Sequence, residues 1–285
     1  MSLAQSDMPR TVTQLGTARR FPGSAHEPSI DPAWQPWLDM LGMALDEASD
    51  PSWAAIEPAA GEREAGAPLL HGATARLDAR RARDLVRALA ERAGILAVND
   101  VDPVRLIRAA IERDDSVIAR TAEHAGASHD SLTVIAQLSA MPLLHAAVPR
   151  LDAGARAVWQ RGYCPVCGAW PTLVEMRGIE RERRLRCGCC AADWRLPVLR
   201  CAYCGELDHH LLGSLISEGE AQQRRIETCE SCHGYLKVVM TLGALPPRSL
   251  ALQDLATVPL DFVAQGRGYE RPSRGAWPLR MGLIA

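Results

Sequence analysis

The stretch Tyr163-Cys164-Pro165-Val166-Cys167-Gly168-Ala169-Trp170 places two thiols three positions apart in a turn. Both sulfur atoms of such a C-x-x-C turn can reach one tetrahedral metal ion at about 2.3 Å, and a second turn of this kind completes the four ligands. The glycine after the second cysteine permits a positive φ that a residue with a Cβ adopts only with strain. The stretch therefore predicts one half of a metal site.

The remaining cysteines supply the other halves. All nine cysteines of the 285-residue chain lie between Cys164 and Cys232, and eight of them form four C-x-x-C pairs. Nineteen residues separate the first two pairs and twenty-four separate the last two, near the roughly 15 to 20 residues typical of zinc sites. Two sets of four ligands are predicted: Cys164, Cys167, Cys187 and Cys190 for one tetrahedral ion, and Cys201, Cys204, Cys229 and Cys232 for a second.

The two sets also resemble each other outside the cysteines. Each begins with Cys-x-x-Cys-Gly and carries an Arg-Arg pair before its second turn, Arg183-Arg184 in the first set and Arg224-Arg225 in the second. The offset between Cys164 and Cys201 is 37 residues. This pattern predicts a tandem repeat of one small metal-binding ribbon.

Cys189 is the ninth cysteine and lies inside the third turn, Cys187-Gly188-Cys189-Cys190. It is an alternative metal ligand, a spare thiol beside the site or a reactive thiol, and the sequence leaves these readings open. A disulfide framework is disfavoured because the first thirty residues show no secretory leader. A thioredoxin-like motif is disfavoured because it uses a single C-x-x-C in a βαβ unit.

Helical patterns precede the cysteines. Apolar residues recur at helical spacing from Ala82 to Ala93, and Gly94 stands where that helix would end. Asp102-Pro103 predicts the start of another helix, and Asp130 the cap of a third. After the cysteines, the segment 249–262 again has helical spacing.

These patterns predict an α+β protein in which a helical N-terminal domain is followed by two tandem zinc-ribbon or rubredoxin-like β modules and a short helical tail. The predicted boundaries are 1–160 for the helical domain, 161–198 and 199–243 for the two ribbons, and 244–285 for the C-terminal helix and tail. The end of the chain, 266–285, is rich in glycine, arginine and proline, and we expect it to be loosely held.

Charge and composition limit the function. The chain has a formal charge of -2, and residues 161–240 contain eleven Lys or Arg against ten Asp or Glu, which disfavours nucleic-acid binding. The arginines of the segment 181–186 alternate with Glu180 and Glu182, so we expect a solvated hairpin there. No apolar run reaches the roughly eighteen residues of a membrane span.

Catalysis is disfavoured as well, and the protein is predicted not to be an enzyme. Four cysteines fill the coordination sphere of a zinc ion, whereas hydrolysis needs an open position. No P-loop, dinucleotide fingerprint or nucleophile elbow is recognisable. What remains is structural metal binding with a partner surface, or one-electron chemistry at iron. The same ligands accept zinc or iron, so the sequence does not choose the metal.

Several longer stretches resemble the FdhE family of formate dehydrogenase accessory proteins. The resemblance depends on the four cysteine pairs together with three further runs. These runs are Ala191-Ala192-Asp193-Trp194-Arg195, Cys229-Glu230-Ser231-Cys232-His233-Gly234-Tyr235-Leu236-Lys237, and Asp254-Leu255-Ala256-Thr257-Val258-Pro259-Leu260-Asp261 with Gly268-Tyr269. It is specific over the cysteine region and the C-terminal part, and extends to the N-terminal helices only in outline.

The resemblance implies a cytoplasmic, rubredoxin-like metalloprotein that binds the catalytic subunit of formate dehydrogenase and assists its maturation. The family's metal ligands carry over to the same eight cysteines, with Cys189 extra to that scheme. Two hypotheses follow: a maturation factor whose metals hold a partner-binding fold, or a protein with redox-active iron in at least one site. The alternative is a zinc-ribbon protein associated with nucleic acid or transcription.

Overall fold

The predicted α+β class is confirmed by the computed structural model, which describes residues 30–61, 63–95, 101–150, 154, 158–216, 224–272 and 275–285; all statements below refer to these parts of the chain. The helices are α1 (Gln35–Ala48), α2 (Ala79–Arg92), α3 (Pro103–Glu112), α4 (Asp115–Ala125), α5 (His129–Ala147), α6 (Pro247–Ala256) and α7 (Val258–Gln265). The strands are β1 (Ala54–Glu57), β2 (Thr74–Leu77), β3 (Leu173–Arg177), β4 (Glu182–Arg186), β5 (Asp193–Arg195), β6 (Leu212–Leu215), β7 (Arg224–Cys229), β8 (Tyr235–Thr241) and β9 (Gly282–Ile284).

The helix starts predicted from aspartate and proline are present in the N-terminal part. The Asp102 carboxylate accepts from the amide of Val104 at 3.0 Å, and Pro103 is the first residue of α3. Helix α2 ends at Arg92, and Gly94 follows with φ of 75°. The start of α3 and the end of α2 are therefore set by the local features that the sequence indicates.

Helix α5 packs against α1, α2, α3 and α4 and is the central element of the N-terminal part. The prediction that Asp130 caps this helix is wrong. Ser128 is the cap, because its hydroxyl accepts from the Ser131 amide at 3.1 Å, and Asp130 lies in the first turn. Twelve of its nineteen residues are buried. Even so, no helix in the described ranges combines the length and apolar character needed to cross a bilayer.

The two cysteine repeats share one six-stranded sheet with the order β5-β4-β3-β8-β7-β6. Each repeat contains its own antiparallel strands, and β3 of the first repeat pairs in parallel with β8 of the second. In this parallel pair Leu173 lies opposite Lys237 and Arg177 lies opposite Thr241. The ribbons are therefore joined by backbone hydrogen bonds. The predicted boundaries between separate modules stay a prediction.

The end of the chain is ordered against the rest, so the expectation of a loosely held tail is wrong. Strand β9 pairs in parallel with β2, completing a sheet of order β1-β2-β9. Leu279, Met281 and Leu283 are buried. The apolar residues alternate through this segment as in a half-buried strand, and the preceding glycine and proline conceal that pattern.

A single large apolar core runs from the helices into the first cysteine repeat. It contains Leu89 and Leu143 of the helices together with Cys164, Leu185 and Val238. A smaller core lies under α7 and contains Ile226, Tyr235, Ala264 and Tyr269. The large core thus contains the cysteines of the first repeat and also reaches Val238 of the second, whereas the smaller core contains residues of the second repeat and the C-terminal segment.

Candidate metal centres

The opening cysteine stretch forms a tight turn closed by backbone hydrogen bonds. The Gly168 amide donates to the Cys164 carbonyl at 3.0 Å, and the Cys164 amide donates to the Ala169 carbonyl at 2.8 Å. Gly168 has φ of 70°, as its predicted role in the turn requires. The turn directs both cysteine side chains to the same side, which is the arrangement that chelation of one ion needs.

The same turn recurs at each of the other three pairs. Gly205 occupies the equivalent position of the second repeat with φ of 81°, which confirms the prediction for that glycine. In the two closing turns the equivalent residues are Ala191 and His233, with φ of 59° and 52°. A left-handed conformation costs these residues roughly 1 kcal/mol each. Four turns of one geometry, two of them strained, indicate that sulfur position is the feature the fold maintains.

The structure brings together the first predicted set of sulfur atoms. Cys164 and Cys190 lie with their Sγ atoms 3.5 Å apart, and Cys167 and Cys187 are also separated by 3.5 Å. All four ligand atoms lie within 4.8 Å of one another, and all four side chains are buried. Four sulfurs at about 2.3 Å from one ion would be about 3.8 Å apart. The cluster therefore has the size of a tetrahedral site with four cysteine ligands.

Burial makes this cluster chemically suited to a cation. Removal from water raises the pKa of the Cys190 thiol well above its ordinary value, because the thiolate loses its solvation. Four thiolates in a buried space repel one another, and a divalent ion offsets both penalties while displacing the protons. The first centre fits zinc or iron held by Cys164, Cys167, Cys187 and Cys190.

Arg113 connects the first centre to the helical part, and sequence reasoning missed it. It follows α3 with φ of 57° and donates from Nη2 to the Cys167 carbonyl at 3.1 Å. Its Nη1 also donates to the Trp277 carbonyl at 3.2 Å. The guanidinium is a fixed positive charge beside a site that thiolates would make negative. A positive-φ arginine is not recognisable as a site residue from sequence.

The second predicted set also converges, but in a more open setting. The Sγ–Sγ distance is 3.7 Å for Cys201 and Cys232 and 3.7 Å for Cys204 and Cys229. Cys229 is buried and Cys201 is half-buried, whereas Cys204 and Cys232 are exposed. Burial raises the pKa of Cys201 to about 11. The two centres share a ligand geometry and differ in their access to solvent.

Tyr203 stabilises the first turn of the second centre. Its amide donates to the Cys201 sulfur at 3.4 Å, and its hydroxyl donates to the Tyr235 carbonyl at 3.0 Å. An amide directed at a thiolate favours the charged form of the sulfur. The equivalent amide in the first repeat belongs to Val166, which lies 3.4 Å from the Cys164 sulfur. Both opening turns therefore present a donor to their first cysteine.

Cys189 lies outside both groups of converging sulfur atoms. Its side chain is exposed and lines a cavity of about 450 Å³ that His145 also lines. Among the described cysteines it is the one whose sulfur belongs to neither cluster. This placement favours the reading of Cys189 as a thiol beside the site over that of an alternative ligand.

The predicted hairpin is present as the antiparallel pair of β3 and β4, but the expectation that its arginines are solvated is wrong. Arg183 and Arg186 are buried, and Arg183 Nη2 lies 2.7 Å from the Glu227 carboxylate on β7. Arg186 and Arg177 both pair with Glu175, a fully buried carboxylate that also accepts from the Leu245 amide at 3.1 Å. The burial of Arg183 could not be predicted locally, because its carboxylate partner Glu227 lies forty-four residues away in sequence. The Arg-Arg pair repeated in both ribbons was the available signal.

Comparisons with known proteins agree on one family. The model described as "FdhE, C-terminal domain" matches residues 199–276. "Protein FdhE homolog" from Aquifex aeolicus is 34% identical over 122 residues, which cover 41% of this chain and 41% of that protein. The homologue from Shewanella baltica is 34% identical over 124 residues, covering 43% and 40%. The chain thus matches about two fifths of the length of these curated relatives.

A solved structure extends the likeness to the fold of most of the chain. The crystal structure of the FdhE protein from Pseudomonas aeruginosa superposes with a TM-score of 0.52. The superposition covers 84% of this chain and 86% of that chain, at 22% sequence identity. At this identity the likeness concerns the fold.

Proposed function

We propose that the chain is an accessory protein of formate dehydrogenase, because residues 199–276 match the FdhE C-terminal domain and most of the chain has the fold of an FdhE protein. In this proposal it acts in the cytoplasm, binds the catalytic subunit of that enzyme and assists its maturation without catalysing a reaction itself. The observation that carries the proposal is the match of residues 199–276, a segment that contains the whole second cysteine cluster.

The geometry of the clusters supports a role other than hydrolysis. Each cluster offers four sulfur atoms within 4.8 Å of one another, and four sulfurs complete a tetrahedral shell with no position for water or substrate. A metal held in this way supplies folding free energy, or exchanges one electron if it is iron. The eight cysteines of the two sets are the proposed ligands.

The two centres differ in their exposure to solvent, and we propose a different role for each. The first centre is buried in the main core and is proposed to be structural. The second centre presents Cys204 and Cys232 to solvent, so a protein partner can approach its sulfur atoms. If the metal is iron, the second centre is the one we propose to exchange electrons.

The nucleic-acid alternative is not favoured. A phosphate-binding face needs arginines that are free to neutralise phosphate, whereas Arg183, Arg184 and Arg186 all form ion pairs within the fold. Arg183 and Arg186 are also buried. The basic segment identified in the sequence therefore has carboxylate partners already.

The proposal can be tested by anaerobic affinity capture of the tagged chain from its own cells, with the catalytic subunit tagged in a reciprocal capture. We expect each protein to recover the other. Nucleic acid or transcription proteins in place of the catalytic subunit would contradict the accessory role. Metal analysis and visible absorption of the same material then separate the two hypotheses, because ferric thiolate centres are coloured and zinc centres are not.

A further inference from the structure

A groove of about 340 Å³ lies beside the second metal centre, on the face of the sheet opposite α7. One wall is the segment Val198–Tyr203, and the floor is made by β6, β7 and the start of β8. Three large apolar side chains at its rim, Val198, Leu199 and Ile216, are exposed to solvent. Exposed apolar side chains grouped around a concavity are typical of a binding surface.

The floor and wall of the groove are held in place before any ligand arrives. Tyr203 hydrogen-bonds to the Tyr235 carbonyl, and Cys201 and Cys229 fix the wall to the floor as members of the second centre. Arg183 is locked to Glu227 and to the carbonyl of Pro197. A preformed site loses little conformational entropy on binding.

The groove is lined by more positively charged than negatively charged side chains. Its charged lining residues are three arginines and one carboxylate, Glu227. Arg183 Nη2 lies 2.7 Å from one carboxylate oxygen of Glu227, and Arg225 Nη2 lies 3.5 Å from the other oxygen. Arg200 forms no ion pair within the described part of the chain. Thiolates of the metal centre can attract these guanidinium groups but offer them no oxygen acceptor.

From these observations we infer that the groove binds an extended segment of a partner protein carrying two apolar side chains and at least one carboxylate. The apolar side chains would contact Val198, Leu199 and Ile216, and the carboxylate would pair with Arg200 or Arg225. An extended chain can place alternate side chains in the groove.

This inference goes beyond the accessory role and does not depend on it. The groove can bind its segment even if formate dehydrogenase is not the partner, and the captures described above can succeed through another surface. The accessory role and the peptide-binding groove can therefore be disproved independently of each other. If both hold, the acidic and apolar segment belongs to the catalytic subunit.

The test is selection of a phage-displayed random heptapeptide library against the full, metal-loaded chain. We expect enriched peptides to contain two apolar residues at alternate positions and an acidic residue. Their affinity for Leu199→Asp protein should fall ~10-fold or more, because the substitution places a charge where the inference requires an apolar contact. The Arg200→Glu variant should select peptides without the acidic residue while retaining both metal ions.

Leu242→Asp is the matched control. Leu199 is 59% exposed and Leu242 is 94% exposed, so neither substitution disturbs a core, and Leu242 lies at the far end of β8 from the groove. The control should bind the selected peptides as the unaltered chain does. The inference is overturned if the selection enriches no peptides or enriches basic ones. It is also overturned if the selected peptides still bind the Leu199→Asp variant, or if the unaltered chain self-associates and this variant does not.

Discussion

The ammonium group of Lys237 lies 2.7 Å from the Asp254 carboxylate and 2.8 Å from the Asp261 carboxylate, and its side chain is only 1% exposed. Lys237 belongs to β8, whereas the two aspartates belong to α6 and α7. The lysine therefore fixes both C-terminal helices to the sheet. The runs around these residues carry much of the family resemblance outside the cysteines, and the structure shows them as partners in one ionic cluster.

Replacing Lys237 with methionine should strongly destabilise the fold. The methionine fills a similar space but removes one of the two cations that Asp254 and Asp261 share, leaving only Arg271 beside them. We therefore expect a loss of about 2 kcal/mol in the free energy of unfolding. Denaturant titration measures it. Arg195→Met removes an ion pair to Glu182 from a side chain that is 69% exposed, and should cost less than about 1 kcal/mol. Equal losses in the two variants would show that Lys237 is not anchored as described.

The glycines of the two opening turns provide a matched pair of substitutions. A Cβ on Gly168 would lie 2.8 Å from the Trp277 Cβ and 2.9 Å from the Pro68 side chain, whereas a Cβ on Gly205 meets nothing closer than 3.9 Å. Each alanine should cost roughly 1 kcal/mol through its positive φ. Gly168→Ala should cost a further ~1 to 3 kcal/mol through overpacking. Thermal unfolding would contradict this if both variants melted together.

Metal content distinguishes ligands from neighbours among the cysteines. We expect two ions per chain, one ion in Cys164→Ser, and two ions in Cys189→Ser, because the Cys189 sulfur lies outside both converging groups. Cys164→Ser should also be severely destabilised, since structural zinc supplies roughly 10 kcal/mol or more in small modules. Elemental analysis of the purified variants measures the stoichiometry. Loss of an ion in Cys189→Ser would mean that the third turn uses a different pair of ligands.

The two metal ions should leave the protein at different rates. Thiol reagents and chelators reach Cys204 and Cys232 from solvent but meet a buried cluster in the first repeat. In a Cys189→Ser background, which removes the other exposed thiol, release followed with a metal-sensitive dye should be biphasic. Cys204→Ser should lack the fast phase. A single phase, or a fast phase that persists in this variant, would contradict the assignment.

His145 should make stability sensitive to mild acid. Burial lowers the pKa of His145 to about 4, and the Nε2 atom is buried without a hydrogen-bond partner in the described structure. The His145 side chain is therefore protonated near pH 6.5 in the unfolded chain but only near pH 4 in the folded chain. Stability present above pH 6.5 is lost as the pH falls through this window, by up to about 3 kcal/mol.

His145→Gln should not lose this part of the stability. Denaturant titrations at several pH values would show the two proteins diverging between pH 6.5 and 4, while acid release of metal affects both alike. His124→Gln removes an exposed histidine on α4 and should follow the unaltered chain. Parallel pH profiles for the unaltered chain and His145→Gln would exclude His145 as the source.

Local geometry explains what could be predicted from the sequence. The C-x-x-C turns, the glycines after Cys167 and Cys204, and the start of α3 at Asp102 each depend on residues within about five positions. The two sets of four sulfurs were predicted from spacing and are brought together by the fold. Turn and cap geometry is fixed by the chain's own stereochemistry, so it can be predicted before the fold is known.

The sequence by itself determined the four C-x-x-C turns, the helical character of the N-terminal part and the order of these elements along the chain. Only the tertiary structure decided that β3 pairs with β8, that the tail returns to β2, and that Arg183 is buried. It also decided that one centre is buried and the other exposed. These features arise from contacts between distant segments, whose energies depend on which surfaces the whole chain removes from water.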